Sequence, residues 1–149
     1  MLLVRSAVRI LDRLAPWLAR ETQLPEHLQT GRLGEDAAYF YLRELGFTVV
    51  ARDFRSPRRR GDVDLIAWEG ETLCFVEVKT RSRRAFKPAE AAVDAEKRAA
   101  VSAVAQEYLR SVALARGKAP QFRFDVVSIY LESNGASDIT LFRDAFRIA

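Results

Sequence analysis

Two apolar runs, residues 62–68 (DVDLIAW) and 72–80 (TLCFVEVKT), are separated only by Glu69, Gly70 and Glu71. Short runs of β-branched and aromatic residues joined by a Gly-containing turn predict a β-hairpin. This hairpin constrains the chain more than any other feature, because Asp62, Asp64, Glu77 and Lys79 interrupt its apolar strands. Charged side chains are seldom buried unpaired, so these four must meet one another, solvent or a ligand. Strand side chains alternate faces, which groups Asp62 with Asp64 and Glu77 with Lys79, and puts Val63, Leu65, Val76 and Val78 on the opposite face. Register decides whether the pairs meet. A two-residue turn at Gly70-Glu71 sets Asp64 opposite Glu77 and Asp62 opposite Lys79, with Cβ atoms about 4.5–5.5 Å apart. A turn at Glu69-Gly70 sets Asp64 opposite Phe75 and diagonal to Glu77, still on one face. An odd-length loop without a bulge sends the pairs to opposite faces.

Two carboxylates at such a distance repel when ionised. A divalent cation between them removes the repulsion, and their oxygens are the hard ligands that magnesium takes. Lys79, on the same face as Glu77, is then placed to orient or deprotonate a water or to hold a phosphate. The competing reading is a plain cross-strand salt bridge on a solvent face. An isolated Glu-x-Lys does not choose between them.

Composition excludes several other chemistries. A single Cys74 rules out an intrachain disulfide and a Cys-rich zinc site, and a single His27 leaves no partner for a His-based metal cluster. Catalysis by this chain would therefore run on carboxylates and lysine. With 149 residues, 49% of them hydrophobic, the chain is one domain's worth of sequence and has enough apolar residues for a core. No apolar run approaches the roughly 20 residues of a membrane span. With no secretory-type segment either, the expected location is cytoplasmic.

The net charge of +4 hides an asymmetry. Arg52, Arg55, Arg58, Arg59 and Arg60 form one patch (52–60), and Lys79, Arg81, Arg83, Arg84 and Lys87 a second (79–87); the two segments together hold one acid, Asp53. The rest of the chain holds 14 basic and 19 acidic residues, so it is mildly acidic. Focused basic patches on an acidic body are an electrostatic footprint for polyanions, nucleic acid above all; the alternative is two solvated loops.

Along the chain, Val4, Val8, Leu11 and Ala15 recur at helical spacing beside Arg5, Arg9 and Arg13, and 20–30 reads as a linker, so residues 1–30 are expected to be an amphipathic extension. Thr30 is a candidate N-cap and Gly46 a stop for a helix whose apolar face is Leu33, Ala37, Phe40, Tyr41 and Leu45. Glu35 lies on a neighbouring stripe with Ala38, Tyr39 and Leu42, angled toward the body. Residues 47–54 read as a strand. A helical region opens at Pro88 and runs to about 115, with Asp94 able to recap it, and Gly117 and Pro120 end it. Residues 121–131 and 138–146 are further strands. Helix, three strands, helix, strand, strand predicts an α/β or α+β sandwich around a mixed sheet. Cys74 and the rings of Trp68, Phe75, Phe122 and Phe124 are expected in the core, and Arg123 and Asp125 as a structural ion pair.

Several separated motifs carry a resemblance. They are Gly34-Glu35 with Ala37 and Ala38; GDVDLIA at 61–67; FVEVKTR at 75–81; Ala91, Val93 and Lys97; Tyr108-Leu109; and RFDV at 123–126. In order and spacing they resemble the YraN family of bacterial proteins across residues 31–131, and their Asp…Glu-x-Lys core is similar to that of the PD-(D/E)XK nuclease superfamily. The resemblance implies a restriction-endonuclease-like three-layer α/β core over 31–149, with a central mixed sheet flanked by helices, similar to Holliday-junction resolvases. It implies a metal site of Glu35, Asp64 and Glu77 for Mg2+ or Mn2+, and Asp64, Glu77 and Lys79 as catalytic residues. The family usually carries Glu where this chain has Asp62, so Asp62 is given a supporting role. Arg52, Arg55, Arg58, Arg59, Arg60, Arg81, Arg83, Arg84, Lys87 and Lys97 are the expected nucleic-acid contacts. The implied activity is hydrolysis of DNA phosphodiester bonds, in branched or damaged DNA, by a protein that could pair as a homodimer. The alternatives are a non-catalytic nucleic-acid-binding module on the nuclease fold, or an interaction component docking through its N-terminal helix.

Overall fold

The computed structural model describes residues 26–82, 94–131 and 137–148. Its elements are α1 (Glu26–Glu44), β1 (Thr48–Arg55), β2 (Asp62–Glu69), β3 (Thr72–Ser82), α2 (Ala95–Arg116), β4 (Gln121–Leu131) and β5 (Ser137–Phe146). The order is the one expected. Helix α1 begins at Glu26, before the Thr30 cap read from the sequence, so part of the supposed linker is helical. Asp94 does cap α2: its side chain accepts the Lys97 N–H at 2.8 Å. The Pro88–Val93 part of the expected helix, and the amphipathic pattern at 1–15, lie outside the described residues.

The five strands form one sheet in the order β1-β2-β3-β4-β5. Pairing is antiparallel except between β3 and β4, which run parallel from Thr72↔Gln121 to Ser82↔Leu131 and are joined through α2. A parallel pair cannot be closed by a tight turn, so a crossover helix is the ordinary solution. The sheet is therefore mixed, and it carries a helix on each face.

Each face has its own core. Ala37, Ala38, Tyr41 and Leu42 of α1 pack with Leu65, Ala67, Cys74, Val76, Val127 and Ile129. Val101, Val104 and Ala105 of α2 pack with Val63, Ile66, Leu73, Phe75, Phe124 and Val126. This is the three-layer arrangement expected of a restriction-endonuclease-like core. Of the apolar face read in sequence, Ala37 and Tyr41 are buried; Leu42 of the neighbouring stripe is fully buried beside them, and Leu45, just past the helix end, is 45% exposed. Phe75 and Phe124 are core residues as expected, whereas Phe122 lies 38% exposed at the start of β4. Among the described residues, no helix is long and apolar enough to cross a membrane.

At the turn end of the hairpin an ionic network ties three strands together. Glu69 of β2 accepts from Arg143 of β5 (Nη2–Oε1 2.6 Å) and from Arg123 of β4. Arg123 Nε also donates to Asp125 Oδ1 at 2.9 Å, and fully buried Asp125 takes the Asp144 N–H at 3.0 Å. The expected Arg123–Asp125 pair is thus one link of a longer chain. The Arg143 hydrogen bond, working against partial burial, holds the Glu69 carboxyl down at about 2 from its ordinary 4.5.

Helix α1 meets β3 at Gly34, where a Cβ would fall on Thr80 Oγ1 and lie 3.0 Å from Thr80 Cβ. Gly34→Ala should therefore cost roughly 1–3 kcal/mol, the usual range for overpacking; thermal melts will show it, and Thr80→Ala should restore part of the loss. Glu69 adds a pH signature. Its stabilisation is complete above 4.5 and disappears as pH falls toward about 2. The Tm deficit of Glu69→Gln at neutral pH should shrink across that interval; a deficit that does not change with pH would refute the ionic account.

Candidate functional site

The hairpin register places the acids. Glu69 pairs with Thr72, Ile66 with Phe75 and Leu65 with Val76, so the turn is Gly70-Glu71, the first of the two even registers. Pairing of β2 with β3 stops at Leu65↔Val76. Asp64 and Glu77 are the next residues in register, where the ladder has opened. The Asp64 carboxylate there takes the place of a backbone partner, its Oδ2 accepting the Val78 N–H at 2.7 Å. Both carboxyls are buried, Asp64 to 8% exposure and Glu77 to 4%.

A kink in the neighbouring strand accompanies the opening. Asp53, opposite Asp64 on β1, has φ 45°, a left-handed conformation that Asp tolerates better than most residues. The chain turns over at this point. Arg52 stays on the α1 side, against Asp36 and 4.8 Å from the Tyr39 ring centroid. Phe54 enters the α2 core, with its ring 5.0 Å from that of Tyr108. Correspondingly, Val63 packs under α2 and Leu65 under α1, so these two do not share a face as strict alternation would have it. Gly61, with φ 105°, lets the start of β2 approach α2 so closely that a Cβ would lie 2.9 Å from that of Ala100.

Burial pushes the Glu77 carboxyl well up, helped by the charge of Asp64 and by a hydrogen bond between the two groups; burial also raises Asp64, despite that bond and the Val78 N–H. Glu35, half-buried on α1, is raised to about 7 by burial and by the charges of Asp64 and Asp53. Asp62 differs: burial opposes ionisation, but the Lys97 ammonium at 3.0 Å and Arg55 outweigh it and hold the carboxyl below its usual range. Lys79 Nζ is 3.9 Å from Glu77 Oε1, and Lys97 Nζ is 3.5 Å from the same oxygen.

The expected residues thus divide. Asp62, Asp64, Glu77, Lys79 and Lys97 come together, and Glu35 is near enough to feel their charge. Arg58, Arg59 and Arg60 are exposed on the loop into β2, and Arg55 reaches Asp53 at 3.6 Å and Asp62 at 4.0 Å. Arg55, Ser56, Arg59, Gly61 and Asp62 line a cavity of about 420 Å3 beside the acids. Arg83, Arg84 and Lys87 lie outside the described residues. Sequence reasoning missed the anchor of this loop. Buried Ser56 donates to Glu107 of α2 and accepts the Arg58 N–H at 3.1 Å. The Ser56-Pro57 dipeptide was the available turn signal. It also missed Ser128, which pairs with Lys79 across the parallel ladder.

Among the described residues, the buried side-chain atoms left without a hydrogen-bond partner are Glu77 Oε2, Arg81 Nε and Ser128 Oγ. By strand alternation, all three belong to the α2-facing side of β3 and β4. Buried polar groups are normally satisfied, so Glu77 Oε2 has capacity left for a further partner. A hard divalent cation fits the acidic pair: Asp64 and Glu77 supply carboxylate oxygens, and Glu77 Oε2 is unclaimed. Among the described residues no three His, Cys, Asp or Glu side chains form a metal-holding group. Magnesium accepts such a sparse set, because it keeps several waters and is often held by one or two carboxylates.

Fold and site together define the chain as a restriction-endonuclease-like α/β protein with a buried acidic pair flanked by lysines. Among known sequences, the model of "Uncharacterised protein family UPF0102" matches residues 34–129. The chain belongs to this family, the YraN family of the sequence resemblance. A UPF0102 protein of Koribacter versatilis is 46% identical over 143 residues, covering 96% of this chain and 94% of the relative. One from Solibacter usitatus is 46% identical over 127 residues (85% and 92%), and one from Syntrophus aciditrophicus 36% over 127 (85% and 95%). The Koribacter match extends far into the first 30 residues, beyond the reach of the family model.

Because their folded pKa values are raised, Asp64 and Glu77 cost stability once pH exceeds the ordinary carboxylate range, and the cost grows as pH rises further. Glu77→Gln should therefore stabilise the metal-free protein at pH 8 by roughly 1–3 kcal/mol, and by less at pH 5. Denaturant titrations at the two pH values test this. A loss of stability at pH 8 would mean that the acids are held by attraction rather than crowded together.

Proposed function

We propose that this protein is a magnesium- or manganese-dependent endonuclease that hydrolyses DNA phosphodiester bonds, in branched or damaged DNA, in the cytoplasm. The observation that carries the reading is the buried Asp64–Glu77 pair, with its unclaimed Oε2 and Lys79 two residues further on the same face. A surface salt bridge needs neither the burial nor the crowding of two acids.

In this reading Asp64 and Glu77 hold the cation, and Glu35 supports them from α1. A bound cation would supply Lewis acidity toward a phosphodiester oxygen and would offset the charge of the acids. Lys79 orients the attacking water for in-line displacement and offers its ammonium to the charge growing on phosphorus-bound oxygens. Arg55 and Arg58 to Arg60 fix the DNA backbone, a role that sets register without reading sequence. Arg81 of β3 belongs to the same basic set in this reading.

One observation favours the rival reading, a nucleic-acid-binding module without catalysis. Lys97 and Lys79 already face Glu77, so the acids have cations of the protein's own.

A labelled panel of duplex, single strand, flap and four-way junction, incubated with Mg2+ or Mn2+, separates the two. The endonuclease reading expects metal-dependent cutting that is abolished in Glu77→Ala and reduced about 10²–10⁴-fold in Lys79→Ala, the usual worth of a proton-handling side chain, with binding retained. Binding without cutting under either metal would leave the non-catalytic module.

A further inference from the structure

Lys97 occupies an unfavourable position for a lysine. It lies in the first turn of α2, and its backbone N–H bonds the Asp94 cap at 2.8 Å. The N-terminal turn of a helix carries partial positive charge, which disfavours an ammonium and favours acids. Something must offset this, and the structure shows what does. The ammonium lies 3.0 Å from Asp62 Oδ1 and 3.5 Å from Glu77 Oε1, bridging β2 and β3 where their ladder has opened. Its attachment is rigid, because one turn further along the helix Ala100 meets Gly61 at the entrance to β2. The stem itself is four methylenes long and can swing.

We propose that Lys97 is the resident counter-cation of the acidic pocket: its ammonium bridges Asp62 and Glu77 in the metal-free protein, and it gives up Glu77, keeping Asp62, when a divalent cation enters. This deepens the metal-site reading and rests on it. It assigns Asp62 a function, as the post on which the displaced lysine stays. It also gives the two lysines different duties. Lys79 comes from the same strand as Glu77 and remains at the site, whereas Lys97 comes from another layer and competes with the metal for one oxygen.

The prediction has an unusual sign. Removing a residue that merely supports the site should weaken metal binding, whereas removing a competitor should strengthen it. Mn2+ binding to the full-length protein, followed by calorimetry and by the electron-spin signal of free Mn2+, measures this without reference to cleavage. Lys97→Met should bind Mn2+ roughly tenfold more tightly than the parent, the scale of one partly buried charge pair. Lys97→Arg, which keeps the charge, should stay near the parent value, and Glu77→Gln should lose binding. If Lys97→Met binds no more tightly than a parent that does bind, the exchange is refuted and the metal reading stands. If neither parent nor Lys97→Met binds, the metal reading fails and takes this inference with it. Should Lys97→Met be unfolded without metal, Lys97→Gln serves as the second variant. Recovery of the fold on adding Mn2+ supports the exchange, and failure of both variants to fold in Mn2+ overturns it.

Discussion

Everything at one end of this molecule depends on two like charges being kept out of water together. Asp64 and Glu77 are adjacent in register at the point where β2 and β3 stop pairing, and each is more than nine-tenths buried. Left alone they would drive the strands apart or take up protons. The surroundings are arranged around that difficulty. The Val78 N–H is turned onto Asp64, Asp53 adopts a left-handed turn opposite it, Gly61 lets α2 come close, and α2 delivers Lys97. Local conflict with the rules that govern the rest of a fold is what a functional site is expected to look like.

The other end of the same hairpin is a useful contrast. Glu69, Arg123, Asp125 and Arg143 are also charged, yet each donor has an acceptor, and hydrogen bonds from the arginines hold the Glu69 carboxyl well below its usual range. Two acidic clusters in one small sheet, one satisfied and one frustrated, differ in whether cations of the chain reach every oxygen. That difference distinguishes the two clusters more sharply than the residue types do.

Much of this was legible in the sequence because it rests on short-range rules. The hairpin, its even register, the Asp94 and Gly117 helix ends and the inward stripe carrying Glu35 follow from periodicity and turn chemistry over a few residues. The mixed sheet followed from element order. What escaped depends on events between distant segments. That Val63 and Leu65 enter different cores could not be read from β2, since it accompanies a backbone reversal at Asp53 in another strand. Which flank of α1 lies deepest depends on its docking against the sheet, where Gly34 comes close to Thr80 and Leu42 is fully buried. Ser56, Glu107 and Ser128 carry no pattern of their own and become visible only when loop, helix and sheet are assembled. Lys97 was placed near the site, but its second partner, Asp62, is 35 positions away in sequence.

The two outer strands have a consequence for how this protein behaves in company. β1 carries a register shift between Val49 and Ala51 and then the turned-over Asp53, while β5 shifts register against β4 and has its own left-handed residue at Asp144. Both rims are studded with charge at these irregular points, with Arg52, Asp53 and Arg55 on one side and Arg143 and Asp144 on the other. An unprotected rim invites a stray strand from another chain to add itself, which is how sheets grow into aggregates. Here neither border offers a long, flat, uncharged run for such an addition. The kink that accompanies the open ladder at the acids is thus also a poor template for an added strand.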